Sequence, residues 1–324
     1  MNTVADRCKG VIFGHAIGDA LGLGAEFMPK AAVVTNYPAG LTRYSQIIQD
    51  RHRSRWPIGD WTDDTDQMLC ILDSILEYED VRILDIARRI HTWATDDGMG
   101  IGNLVWSVIT SRYFLDAPHF AAQYAWESTG RYSAPNGGVM RTSILGVWKY
   151  NSLDEVKKNA EKVCRVTHYD PRCVGSCVAV CTAIALLLQG KEDFTEIMKI
   201  VARATADYSP ELDQFLALAA TGTLDDLDLD EGLSATELGS IGYTLKTLGA
   251  GFWALKNAFS YREGVLQVIH EGGDADTNAA VVGAMLGAKY GFSSIPGIWV
   301  DELREAKELD ARINRLLTVL GLQD

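Results

Sequence analysis

The 324-residue sequence predicts an all-α fold, a single compact orthogonal helical domain of about a dozen helices spanning residues 1–324. Three observations carry this. Apolar residues recur at 3/4 spacing along most of the chain. Runs of alternating β-branched residues bounded by turns are hard to find. The 8 prolines sit mostly in connections, at Pro29, Pro38, Pro57, Pro118, Pro135 and Pro171.

The elements follow in chain order. Thr62 is placed to cap a helix that starts near Asp63, and Met68, Ile71, Leu72, Ile75 and Leu76 mark its buried stripe. Ile83, Ala87, Ile90 and Ala94 mark the next helix. The most apolar stretch, 173–188, is shorter than the roughly 20 residues of a membrane span and is interrupted by Gly175, Ser176 and Thr182, so it reads as a buried helix. Leu245, Leu248, Phe252 and Leu255 define another. Ser260 and Glu263 have capping-box spacing and should open a helix through His270. Residues 300–320 read as one or two closing helices. Two stretches lack a period: residues 35–61, rich in Arg, Gly and Pro, and the acidic run 225–231. A loop longer than about 15 residues in a compact domain is often functional.

Composition narrows the function classes. With 43 acidic and 30 basic residues the net charge is -13, which argues against binding a nucleic-acid duplex. An apolar share of 47% argues against extended disorder. The first residues carry no apolar secretory region, and no membrane partner is expected. The cysteines, Cys8, Cys70, Cys164, Cys173, Cys177 and Cys181, form no Cys-x-x-Cys pair, and the last three share one helix face as small buried residues. A reducing cytoplasm and a monomeric state are the expectations. In the acidic run, Asp226, Asp228, Asp230 and Glu237 fit positions 1, 3, 5 and 12 of a calcium loop. Glu231 stands where the turn demands glycine, so a solvated acidic loop is the preferred reading.

The chemistry lies in two distant segments, Gly59-Asp-Trp-Thr-Asp-Asp-Thr-Asp66 and Gly272-Gly-Asp-Ala-Asp-Thr-Asn278. Each sets aspartates beside a threonine at the mouth of an apolar helical run. One such cluster is explained by helix capping. Two carboxylate surpluses brought together would raise each other's pKa, and a bound cation removes that cost. Oxygen-only ligands select hard cations, Mg²⁺, Mn²⁺ or Ca²⁺. If the segments meet, Asp63, Asp64, Asp274 and Asp276 with the hydroxyls of Thr62 and Thr277 suffice for two metals.

These residues resemble the ADP-ribosylglycohydrolases. The likeness covers most of the chain in order: Gly14-His-Ala-Ile-Gly-Asp-Ala-Leu-Gly22, Glu26-Phe, Trp61-Thr-Asp-Asp-Thr65, Gly98-Met-Gly-Ile-Gly102, Pro135-Asn-Gly-Gly-Val-Met-Arg141, Thr167-His168, and Gly272-Gly-Asp-Ala-Asp-Thr277 continuing to Gly291. The resemblance implies a binuclear Mg²⁺ or Mn²⁺ centre with Thr62, Asp63, Asp64, Asp274, Asp276 and Thr277 as ligands. It implies that Glu26 lies on a mobile loop over the metals, for which Gly22 and Gly24 would suit a flexible lid. It also implies that His168 helps bind the nucleotide. Gly98, Gly100, Gly102, Asn136, Gly137 and Gly138, with Met140 nearby, would let backbone N–H groups approach a pyrophosphate. Arg141 is expected in a buried structural ion pair.

The activity so implied is hydrolysis of the bond between ADP-ribose and an acceptor, either an ADP-ribosylated protein or a small ADP-ribose conjugate. The acid that protonates the leaving group is Glu26 or a metal-site aspartate, Asp63 or Asp64. Arginine-directed members commonly carry an aspartate where Gly100 stands, and Asp96 and Asp97 are the carboxylates nearby. Two alternatives rank lower. Other helical di-metal hydrolases usually use His-Asp pairs, which this sequence lacks, and a non-catalytic member would be expected to lose metal ligands that are all present here.

Overall fold

The structure is a computed structural model that describes residues 3–232 and 241–322. As the periodicity predicts, it is all-α, with sixteen α-helices among the described residues rather than about a dozen. Among the described residues the strand-like pairings are two isolated bridges, Pro29 with Gly272 and Pro135 with Tyr243.

The first helices are α1 (Val4–Gly22), α2 (Lys30–Asn36), α3 (Asp63–Tyr78) and α4 (Ile83–Asp96). They are followed by the short α5 (Asn103–Ile109), α6 (Pro118–Ser128) and the one-turn α7 (Ile144–Val147). Next come α8 (Leu153–Cys164), α9 (Pro171–Leu188), α10 (Phe194–Thr205) and α11 (Pro210–Thr221). The chain closes with α12 (Thr244–Asn257), α13 (Tyr261–His270), α14 (Ala275–Tyr290), α15 (Gly297–Asp301) and α16 (Ala306–Val319).

Two helices form the axis that positions the site. A Cβ added at Gly10, Gly14 or Gly18 of α1 would lie 2.5, 2.3 or 2.0 Å from the carbonyl oxygens of Gly287, Gly283 and Ala279 of α14. At Gly22 it would lie 2.5 Å from that of Ala275. The four-residue glycine repeat therefore lets two helix backbones touch along their length, and the descending partner numbers make them antiparallel. The C-terminus of α1 is thus held beside the N-terminus of α14. Both helices are buried on nearly every face, as a central pair must be.

The other elements wrap this pair. The apolar α9 packs against α7, α8, α10, α12 and α14. It is long and apolar enough to cross a membrane, but 89% of it is buried inside the fold. Cys173, Cys177 and Cys181 lie buried along it as free thiols. In α13, Ser260 accepts from the backbone N–H of Glu263 at 3.1 Å, as the capping box predicts. The reciprocal bond shifts by one residue, because the Glu263 carboxylate accepts from the N–H of Phe259.

Residues 35–61 are less irregular than their sequence. They include the end of α2 and two 3-10 turns, Tyr44–Gln46 and Arg53–Arg55. Leu41, Tyr44 and Trp56 anchor the stretch in the core. Where one or two closing helices are expected in 300–320 there are two, α15, which begins three residues earlier, and α16.

Candidate functional site

The start of α3 is built around a carboxylate from another helix. Asp19, fully buried on α1, accepts from the backbone N–H and hydroxyl of Thr62 at 3.0 and 2.8 Å. It also accepts from the N–H and hydroxyl of Thr65 at 3.0 and 2.6 Å. Thr62 is the N-cap residue by position, but Asp19 does the capping that its side chain was expected to do. The Thr62 hydroxyl gives its proton to Asp19, which leaves its lone pairs available. The third aspartate of the segment, Asp66, is structural and accepts from the indoles of Trp61 and Trp93 at 2.8 and 2.9 Å. Asp63 and Asp64 remain for other work. Gln67 reaches Asp63 at 3.1 Å, and Asp64 Oδ1 is buried without a protein partner.

The start of α14 is set by two glycines. Gly272 and Gly273 have φ of 72° and 68°, a region that L side chains avoid. A Cβ on them would lie 2.2 Å from the Met28 carbonyl oxygen and 2.0 Å from that of Leu229. The N–H of Gly273 donates to Met28 at 2.8 Å, and the N–H of Phe27 donates to Gly273 at 2.7 Å. These bonds stitch the turn carrying Glu26 to the helix start carrying Asp274 and Asp276. Asn136 donates to Asp274 at 2.7 Å and to Thr247 at 3.0 Å, so it fixes a carboxylate as well as lining the pocket.

The two aspartate segments meet. The hydroxyl of Thr277 donates to Asp64 Oδ2 at 3.3 Å across 213 positions of sequence. Glu26, Asp274 and Asp276 place carboxylate oxygens within 4.8 Å of one another. Glu26 itself is 8% exposed. Its carboxylate lies 2.6 Å from His52 Nε2, and its backbone carbonyl accepts from Arg53. Gly22 and Gly24 serve close packing here, against Ala275 in one case and Leu41 and Ile47 in the other, rather than forming a free hinge.

Burial pushes Asp63, Asp64 and Asp276 well above the usual carboxylate range, and neighbouring carboxylates push further. Asp274 rises to about 6 and Asp19 to about 7, with burial again the leading cause. Among the described residues no Lys or Arg forms an ion pair with Asp63, Asp64, Asp274 or Asp276. Such a set is costly as bare anions and suits a hard divalent cation. The unpartnered Asp64 oxygen and two hydroxyls that have already given away their protons fit the same ligand chemistry.

Above the carboxylates lies a cavity of about 410 Å³, within the roughly 300–1,000 Å³ of small-ligand sites. Of the residues singled out from sequence, Glu26, Asp63, Asp64, Gly100, Gly102, Asn136, Gly137, Met140, His168, Asp274, Asp276 and Thr277 line it. Gly138 does not. A Cβ there would lie 3.0 Å from the Cys164 sulfur, so this glycine serves packing behind His168. Gly98 likewise packs against Ala94 and Trp93. Gly100, at φ 82°, is the glycine that abuts the carboxylates, and a Cβ there would sit 2.5 Å from Asp63 Oδ1.

Arg141 departs from the expected ion pair. It is fully buried, and its partners are the neutral Gln67 and Thr167 at 2.7 and 2.6 Å. Gln67 then reaches Asp63, so a single amide bridges the buried cation to the acidic cluster. The acidic run is a solvated loop as expected, with Asp225, Asp226, Asp228 and Glu231 exposed, and Leu227 and Leu229 between them anchor it in the core. Asp226 is satisfied by Thr223, and Asp230 accepts from the N–H of Lys30 at 2.7 Å. Glu237, the last calcium-template position, lies outside the described residues.

Asp19 and the aromatic neighbours of Glu26 escaped the sequence reading. A readable signal for Asp19 existed: a lone carboxylate inside the apolar stretch 11–23 must find several donors. Phe27, His52 and Trp56, whose rings pack in series at 5.1 and 5.4 Å, carry no comparable local signature.

An all-α protein that gathers carboxylates from two helix starts and one turn under a ligand-sized pocket belongs to the class of helical proteins with an acidic site suited to cations and a small ligand. Residues 1–324 match the family model described as ADP-ribosylglycohydrolase. The chain belongs to that family, whose members are hydrolases acting on ADP-ribose conjugates. It is 26% identical to ADP-ribosylarginine hydrolase Tri1 of Serratia proteamaculans (strain 568), over 98% of this chain and 81% of that protein. It is 24% identical to the ADP-ribosyl-dinitrogen reductase glycohydrolase of Rhodospirillum rubrum, over 99% and 98% of the two chains. A solved structure titled ADP-ribosylglycohydrolase-related protein complex superposes with a TM-score of 0.77 at 26% identity, covering 98% of this chain and 99% of that one.

Proposed function

We propose that the protein hydrolyses the glycosidic bond between ADP-ribose and an acceptor, on a modified protein or a small ADP-ribose conjugate, using two divalent cations, Mg²⁺ or Mn²⁺. The observation that carries this is the meeting of both aspartate segments and Glu26 beneath one pocket. Family membership and the names of the Serratia and Rhodospirillum relatives support it.

Thr62, Asp63, Asp64, Asp274, Asp276 and Thr277 would hold the cations. When bound, these ions would supply ordering of the ribose hydroxyls and a water of lowered pKa. The surrounding carboxylates stabilise the positive charge that builds on the sugar as its bond to the acceptor breaks. Water becomes attached to the anomeric carbon, and the departing acceptor takes a proton. Glu26 is assigned that proton transfer, because it is the cluster's one carboxylate on a turn and is held from the side by His52. Asp63 and Asp64 orient and deprotonate the water. Gly100, Gly102, Gly137, Met140 and His168 shape the space for the nucleotide, with Asn136 between it and Asp274.

The test is release of ADP-ribose from peptides modified on Arg or on Ser, in Mg²⁺ or Mn²⁺. Release from at least one peptide is expected, falling more than about 100-fold in Asp64→Ala and Asp276→Ala. Undiminished activity in either variant, or after chelation, would sink the cation reading. Release from neither peptide would move the substrate to another ADP-ribose conjugate.

A further inference from the structure

A buried hydrogen-bonded chain runs from the carboxylate cluster to another wall of the pocket, through Gln67, Arg141, Thr167 and His168. Its direction is dictated by chemistry. Arg141 has donors and no acceptor. Its Nη1 donates to Gln67 Oε1 at 2.7 Å and its Nη2 to Thr167 Oγ1 at 2.6 Å. Gln67 must therefore turn its amide nitrogen to Asp63, which it meets at 3.1 Å. The Thr167 hydroxyl accepts from Arg141, so its own proton points elsewhere. The acceptor within reach is Nδ1 of His168, at 2.8 Å.

An Nδ1 that accepts carries no proton. Burial and the nearby Arg141 charge push the His168 pKa well below its usual value, so the ring is neutral with its one proton on Nε2. His168 Nε2 is buried, has no protein partner, and belongs to a residue that lines the pocket. Gly137 keeps the approach open, since a Cβ there would lie 3.0 Å from that nitrogen.

We propose that Arg141 and Thr167 are positioning residues that lock His168 as the Nε2–H tautomer, so that it donates to an acceptor atom of the bound nucleotide and rejects a donor there. Gln67 ties the same chain to Asp63 and so couples the nucleotide wall to the carboxylates. The ligand half rests on the ADP-ribose reading above; the tautomer half does not.

The experiment uses the full-length, ligand-free protein with ¹⁵N-labelled histidine, the His168 signals being assigned with His168→Gln. Two-bond ¹H–¹⁵N spectra should show a protonated Nε2 and a bare Nδ1. Thr167→Val keeps the side-chain size and removes the donor, and it should give mixed tautomers. Thr167→Ser should restore the wild-type pattern. Calorimetry with ADP-ribose in Mg²⁺ should show binding weakened about three- to tenfold in the Val variant and recovered in the Ser variant, as for loss of one neutral hydrogen bond. A merely structural role for Thr167 would lower the melting temperature and leave the tautomer unchanged. A bare Nε2 in the wild type overturns the proposal, as does a folded Val variant with unchanged tautomer and affinity. An Nε2–H tautomer in a wild type that fails to bind ADP-ribose overturns the ligand half alone.

Discussion

The converging helix starts at Asp63 and Asp274 and the run at 225–231 are similarly dense in carboxylates, and the fold treats them in opposite ways. At the helix starts the carboxylates are buried beside one another, held by threonine, glutamine and asparagine, and pushed toward the neutral form. In the run, Asp225 pairs with Lys30, while the buried Lys246 donates to the carbonyls of Asp228 and Glu231. The acidic count of a segment therefore says little about cation binding. Exposure and the source of countercharge say more, because carboxylates that stay in solvent, or meet a lysine from a neighbouring helix as Asp225 meets Lys30, do not bear the desolvation cost that a bound ion would relieve. The two regions also touch, since the Leu229 carbonyl packs against Gly273.

The largest expected effect comes from breaking the geometry of the helix starts without touching a carboxylate. Gly18→Ala places a Cβ 2.0 Å from the Ala279 carbonyl oxygen, so α1 and α14 must part and carry Asp19 away from α3. Urea denaturation should show a loss of about 3 kcal/mol or more. A loss under about 1 kcal/mol would show that the contact of the two backbones is dispensable.

Next in size is the response to pH and cation. The folded-state pKa values of Asp274 and Asp19 are raised, to about 6 and about 7. Their stabilising contribution is therefore complete below the unfolded carboxylate range and is lost as pH rises through those values. Chelated protein should melt at a lower temperature at pH 8 than at pH 5. Added Mg²⁺ should raise the melting temperature more at pH 8, by roughly 3–5 °C. An equal gain at both pH values would separate cation binding from these carboxylates.

The smallest effect sharpens the other half of the comparison. Lys246→Met should cost about 1–3 kcal/mol, because it leaves two carbonyls without a donor. Asp225→Asn should leave Mg²⁺ affinity within about twofold of wild type, as for an exposed pair. A change in Mg²⁺ affinity beyond that would make the acidic run part of the cation site.

Much of the fold was legible because helix periodicity is local. The stripes from Met68 to Leu76 and from Leu245 to Leu255, the Ser260 cap and the buried α9 each follow from residues three or four apart. The aspartates of the site were legible as a surplus beyond capping needs. Gly98 and Gly100 were not separable in sequence, because one abuts its own helix and the other abuts Asp63. Arg141 read as half of an ion pair because a buried guanidinium implies an anion, while an intervening amide leaves no trace in spacing.

The sequence by itself determined an all-helical chain, two carboxylate surpluses at helix starts, and a family likeness carried by those motifs. Tertiary structure alone decided that Asp19 caps α3, that Gln67 joins Arg141 to Asp63, and that Thr277 reaches Asp64. The physical reason is range. Propensity and amphipathic period act within a few residues, whereas the site exists because glycines along α1 let its backbone rest on α14, a steric fit between segments more than 250 residues apart.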